Sequence, residues 1–141
     1  MSVAFRAGQR LILVRVLVGS SSHEVVGEFA LDTGATFTTL NEPLVRRLGF
    51  PLDALPRSNT IQTATTAEPV GRLTLARIAS IGHTRYQVPV QFTRFNARLR
   101  IDGVLGLDFF AGQVLTIDFA AGRIRLRPPR RGWPFGSWGA P

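Results

Sequence analysis

Apolar runs of strand length, each closed by a turn cluster, follow one another along most of this chain. That pattern confines it to a small set of folds. Leu11–Val18 and Val25–Leu31 are rich in β-branched residues and are separated by the turn-type stretch Gly19–Glu24, which predicts a hairpin. Thr36–Leu40 is a further short strand. Two β-type arms, Thr60–Ala64 and Val70–Leu75, flank a tip near Thr65–Ala67 and predict a long second hairpin. In Arg85–Phe95 the residues alternate, with Tyr86, Val88, Val90 and Phe92 on one face. Val114–Pro128 reads as a third hairpin that turns within Asp118–Arg123.

Helical spacing occurs clearly once. In Asn41–Phe50 the residues Leu44, Val45 and Leu48 are apolar at helical intervals. Asn41 stands as an N-cap, Pro43 falls in the first turn and Gly49 follows as a stop. Gly103, Gly106 and Gly112 break the apolar run before the third hairpin. The expected class is all-β, a small barrel or sandwich with one or two short helices and one domain per chain. A length of 141 residues with 45% apolar content fits one core without staples.

The chain holds no cysteine, which excludes disulfides, thiolate metal sites and a cysteine nucleophile. Its 17 basic residues are all Arg, and against 9 acidic ones they leave a formal charge of +8. Most are scattered, as on a solubilising surface, and the one dense region is the end, Arg94–Arg100 and Arg123–Arg131, with an electrostatic role toward acidic partners as the alternative reading. No run reaches the roughly 20 apolar residues that cross a bilayer, and no signal-peptide arrangement follows Leu11–Val18. The expectation is a cytoplasmic protein with no membrane or nucleic-acid partner. Residues 128–141, with four Pro and three Gly, read as a disordered tail. His23 and His83 read as solvated loop residues, and two lone histidines without cysteine make no metal site. No cofactor is implied.

Chemistry enters at Asp32. A carboxylate that ends an apolar strand and is followed by Thr33 and Gly34 is either a turn device or a reagent. A position at a strand end predicts partial desolvation, which suits acid–base work. Thr33 offers a hydroxyl to lock the local backbone, and Gly34 permits close approach. An acid–base pair of this kind needs two carboxylates that share one proton. Asp102, Asp108 and Asp118 have no Thr-Gly or Ser-Gly behind them, so a second member has to come from a second copy of the chain or the chemistry is absent.

"ALDTGATFTTL" resembles the catalytic segment of retropepsin-like aspartic proteases, bacterial type. "IDGVLGLDFF", Ile101–Phe110, is similar to that family's second glycine element, with Gly106 lying 74 positions after Asp32. The resemblance covers residues 10–127, leaving an N-terminal segment, 1–9, and the tail outside. It implies a retropepsin-like acid-protease barrel and a homodimeric aspartic endopeptidase that acts on peptide or protein substrates. Asp32 is then the catalytic carboxylate. Thr33, Gly34 and Ala35 form the active-site loop, and Thr33 bonds across the dimer. Thr63, Ala64, Thr65, Thr66 and Ala67 form the flap. Val104, Leu105 and Gly106 form the second glycine element. Retroviral members carry acidic residues after Asp-Thr-Gly-Ala and an Arg after the second glycine. Here Thr36, Phe37 and Leu107 stand there, so that ion pair cannot form. The flap also lacks its usual glycines. The alternative is a weak or inactive domain of the same fold that dimerises or binds peptides.

Overall fold

The structure is a computed structural model and describes residues 1–6, 8–62 and 67–131. The described residues form ten strands: β1 (Ser2–Ala4), β2 (Leu13–Gly19), β3 (Glu24–Leu31), β4 (Thr39–Asn41), β5 (Arg57–Gln62), β6 (Ala67–Ser80), β7 (His83–Thr93), β8 (Gly103–Leu105), β9 (Val114–Asp118) and β10 (Arg123–Arg127). Two short helices, α1 (Glu42–Arg47) and α2 (Leu107–Phe110), and a 3-10 turn at Leu52–Ala54 complete the described residues. The large sheet runs β2-β3-β8-β4-β7-β6-β5, and β6 pairs back onto β2. Six strands therefore close into a barrel, with β5 attached outside the closure. A second sheet, β1-β10-β9, packs on it through Ile124 and Leu126. The expected all-β barrel with two short helices is what the chain forms.

The β2–β3 hairpin pairs Leu13 with Ala30 through Gly19 with Glu24. Alternation along β2 buries Val14, Val16 and Val18 and leaves Arg15 outside. The barrel interior is filled by large side chains from facing strands, chiefly Phe29, Leu40, Leu75, Phe92 and Leu105, with Phe109 from α2. Two glycines make room for the rings. A Cβ on Gly103 would lie 2.4 Å from Cε2 of Phe29, and one on Gly71 would lie 2.0 Å from Cζ of Phe92. The strands could not approach at these points with any side chain present.

β8 has an unusual place. It lies between β3, to which it is parallel, and β4, to which it is antiparallel. The chain thus inserts a late segment between two early ones. This insertion carries the second glycine element to the end of β3, where Asp32 stands.

Four expectations change. Thr36–Leu40 begins as a strand only at Thr39, because the Thr36 carbonyl and the Thr38 N–H and hydroxyl are bonded to Asp108 of α2 instead. Asn41 does occupy the N-cap position of α1, but its side chain makes no cap bond. Its Nδ2 donates to the Ile101 carbonyl at 3.3 Å and its Oδ1 accepts from Phe95 N–H at 3.2 Å, which ties down the loop before β8. The long hairpin has arms Arg57–Gln62 and Ala67–Ser80. Gln62 faces Ala67 across it, while Thr63, Ala64, Thr65 and Thr66 lie outside the described residues. Finally, Tyr86 is exposed, although Val90 and Phe92 on the same alternation are buried. The inward face switches parity midway along the β6–β7 ladder. In β6 it passes from Leu73 and Leu75 to Ile78 and Ser80, with Gln87 of β7 at φ +52° beside the switch. Side-chain alternation is a property of unbroken pleat, and one left-handed residue ends it.

The Gly103 packing yields a test. Gly103→Ala should lower stability by about 2–3 kcal/mol, since overpacked cores force off-rotamer side chains. Adding Phe29→Leu to that variant should recover part of the loss, although Phe29→Leu alone is destabilising. Urea unfolding of the two single variants and the pair measures this. Strict additivity would contradict the packing account.

Candidate active site

The loop after β3 is built by hydrogen bonds to the glycine element. The Asp32 N–H donates to the Leu105 carbonyl at 3.0 Å, extending the β3–β8 ladder by one step. The Leu107 N–H donates to the Ala35 carbonyl at 2.8 Å, and the Asp108 N–H to that of Thr36 at 3.3 Å. The turn closes on itself: Ala35 N–H reaches the Asp32 carbonyl at 3.2 Å, and Gly34 N–H reaches Asp32 Oδ1 at 2.8 Å. The Asp32 carboxylate locks this turn, whereas the Thr33 hydroxyl, expected to do so, is exposed.

Gly106 fits between backbone segments. A Cβ there would lie 2.7 Å from the Phe37 carbonyl carbon and 2.9 Å from the Ala35 oxygen. These neighbours are main chain and cannot rotate away. The two motifs recognised in the sequence are therefore in direct contact. Leu105 and Gly106 are buried and Val104 half-buried, while Thr33 and Gly34 are exposed and Ala35 half-buried.

Asp108 is the residue that motif reading passed over. Its carboxylate accepts the Thr38 N–H at 3.0 and 2.9 Å and the Thr38 hydroxyl at 2.7 Å. The same hydroxyl oxygen accepts Gly106 N–H at 3.2 Å. Thr38 is buried, so each of these bonds replaces one that water cannot supply. An ion pair was expected to be missing here, and a carboxylate–threonine brace within one chain stands in its place. Asp102 makes a second brace: its Oδ2 accepts Glu28 N–H at 2.8 Å, and its carbonyl accepts Asn41 N–H at 2.8 Å. A carboxylate two residues past a glycine, at the start of a short helix, was the available signal for Asp108.

The expectation of a partly desolvated Asp32 is not met in the single chain, where the residue is exposed. Two large apolar side chains flank its loop in the open, Phe37 at 45% and Leu107 at 48% exposure. The Arg72 guanidinium stands 5.9 Å from the Phe37 ring centre, within cation–π range. At the base of the long hairpin, Arg57 pairs with Glu42 of α1 at 2.7 Å and lies 5.5 Å from the Phe92 ring centre.

His83 also departs from expectation. It opens β7, half-buried, with its ring edge-on to Phe109 of α2 at 5.3 Å and Nε2 buried without a partner. Burial, and after it the Arg85 guanidinium, holds the imidazole below its ordinary pKa. Arg85 in turn donates from Nε to the Phe109 carbonyl at 3.1 Å and from Nη2 to that of Ala111, capping α2. His23 is exposed and bonds Ser22 Oγ at 2.8 Å. No group of acidic residues and histidines among the described residues is arranged to hold a metal. No described helix is long and apolar enough to cross a membrane.

The sequence matches the family described as aspartyl protease over residues 14–109. No curated protein matches the chain by sequence. Among solved structures, a retropepsin-like aspartic protease from Rickettsia conorii is similar at TM-score 0.68 and 22% identity, over 91% of this chain and 89% of that one. The retroviral protease-like domain of Ddi1 from Leishmania major is similar at TM-score 0.55 and 15% identity, over 84% of this chain and 94% of that one. At these identities the likeness is one of fold.

Two outcomes follow from the braces. Asp108→Ala should cost about 2–3 kcal/mol, because it leaves a buried Thr38 N–H unpaired, and Asp108→Asn, which keeps one acceptor, about half as much. Chemical denaturation gives both values, and equal losses would contradict the account. The His83 ring is favoured neutral in the fold. As pH falls through the ordinary histidine value of about 6.5, unfolded chains bind the proton first and stability is lost. His83→Gln should flatten the melting temperature across that window, as read by thermal scans from neutral to mildly acidic pH.

Proposed function

The chain belongs to the aspartyl protease family, and on that premise we propose that it is a homodimeric endopeptidase in which each copy contributes one Asp32. The observation that carries this is the state of the Asp32 loop: fixed from behind by Leu105, Gly106 and Asp108, yet open in front with a single carboxylate. A rigid backbone that presents an exposed carboxylate suits a site completed by a second surface. Phe37 and Leu107 beside it supply apolar area whose burial rewards that contact at roughly 25 cal/mol per Å². They stand where retroviral relatives place charges, so the dimer contact here is apolar where theirs is ionic.

In the dimer two Asp32 carboxylates meet and share one proton, since like charges at such range cannot both ionise. The ionised member takes a proton from water as the water oxygen attacks the peptide carbonyl. The protonated member donates to the carbonyl oxygen. Collapse of the resulting diol breaks the C–N bond: the carboxyl that took the proton from water gives it to the leaving nitrogen, and the other carboxylate takes a proton from a diol hydroxyl, which restores the dyad. Thr33 bonds across the dimer to hold the two loops together, Gly34 and Ala35 offer main-chain groups to the substrate, and Val104–Gly106 supports the loop. Thr63, Ala64, Thr65, Thr66 and Ala67 form the flap that covers an extended peptide. Residues 10–127 constitute the catalytic domain in this account, and no metal or covalent intermediate takes part.

Asp32→Asn tests it. Loss of the shared proton should lower peptide cleavage at least about 100-fold, the scale of general acid–base catalysis, while leaving the dimer intact by light scattering. Cleavage retained in purified Asp32→Asn protein would contradict the proposal.

A further inference from the structure

The outer face of the β1–β10–β9 sheet carries charge that the proposed chemistry does not use. Along β10, Arg123, Arg125 and Arg127 alternate with the buried Ile124 and Leu126, so all three guanidiniums leave one face. Strand geometry spaces them roughly 6.5–7 Å apart in a row. Register sets Asp118 and Ala4 beside Arg123, Thr116 and Ser2 beside Arg125, and Val114 beside Arg127. Arg130 and Arg131 follow, both exposed. From Val114 to Arg131 there are five Arg and one carboxylate, Asp118, so five less one leaves +4, half of the chain's +8.

That charge is not neutralised locally. Asp118 Oδ1 accepts the Ala121 N–H at 2.9 Å, and Arg123 Nε donates to Ser2 Oγ at 2.7 Å. The two ion pairs among the described residues, Glu42–Arg57 and Glu24–Arg77, lie elsewhere. A shallow depression lined by Ser2, Thr116, Asp118, Arg123 and Arg125 opens on the same face.

We propose that this face docks an extended acidic segment of another protein. Charge complementarity requires an anionic occupant, and like charge disfavours a second copy of this chain. The spacing then selects among anions. Alternate side chains of an extended peptide recur at the same two-residue period as the arginines, so carboxylates at every second residue meet successive guanidiniums. Each guanidinium fork pairs a carboxylate through two bonds. Core packing of Ile124 and Leu126 fixes the strand that carries the row, so binding needs no backbone ordering on this side. Anionic lipid brings charge without that period, and a single nucleic-acid strand, whose phosphates recur at a comparable interval, needs aromatic side chains to stack its bases, which Ser2, Val114, Thr116 and the three arginines do not supply.

The test uses the full chain and two labelled peptides of identical composition. One carries Glu at every second position and the other carries the same Glu residues in one block. By fluorescence anisotropy the alternating peptide should bind about tenfold tighter, as expected for paired bidentate contacts. Arg125→Gln with Arg127→Gln should remove that preference. Arg46→Gln with Arg47→Gln, which deletes equal charge at α1, should leave it unchanged. Circular dichroism checks the fold, and Arg125→Gln alone serves if the pair perturbs it. Equal binding of both peptides, equal loss in both variants, or tighter binding of a single-stranded oligonucleotide or of phosphatidylserine vesicles at the same salt would overturn the proposal.

Discussion

The contact of Gly106 with the backbone of Ala35 and Phe37 is the constraint on which the rest of this structure depends. It requires β8 to be inserted between β3 and β4, so that a segment more than seventy residues downstream reaches the Asp32 loop. The insertion in turn needs Gly103 under the Phe29 ring, and the barrel closes around that pair. A side chain at either glycine would separate strands whose hydrogen bonds the loop shares. Closure of the barrel and the shape of the site are therefore one packing problem.

Electrostatics secures the contact. Asp108 accepts from both the amide and the hydroxyl of Thr38, and that hydroxyl oxygen accepts from Gly106. A charged acceptor makes such bonds stronger than neutral ones, and burial of Thr38 makes their loss expensive. Within one chain this brace takes the place of the ion pair that the sequence lacks. It leaves Phe37 and Leu107 free to be apolar, and both are exposed where the proposed partner would sit.

Much of this was legible in the residues. The β2–β3 and β9–β10 hairpins follow from turn chemistry between β-branched runs, and α1 follows from helical spacing with Gly49, at φ +82°, as its stop. The pairing of Asp32–Ala35 with Val104–Gly106 was legible because both motifs are short and local. What escaped depends on long-range geometry. Asp108 stands in the Ile101–Phe110 segment but past its glycine element, and its partner lies 70 residues away. Asn41 looks like a cap in sequence, yet a loop more than fifty residues on takes its side chain. Tyr86 is exposed because the pleat switches at Gln87, and a positive φ leaves no sign in a run of alternating residues. His83 reads as a loop residue until α2 is folded against it.

Asp32 is exposed in one chain, so the central claim concerns what a second chain adds. Mixing wild-type and Asp32→Asn chains under exchange, at constant total concentration, tests it most directly. A site that needs both carboxylates predicts that activity falls as the square of the wild-type fraction, because mixed pairs cannot share a proton. A fall in direct proportion to that fraction would mean that each chain acts with its own Asp32, and would contradict the account.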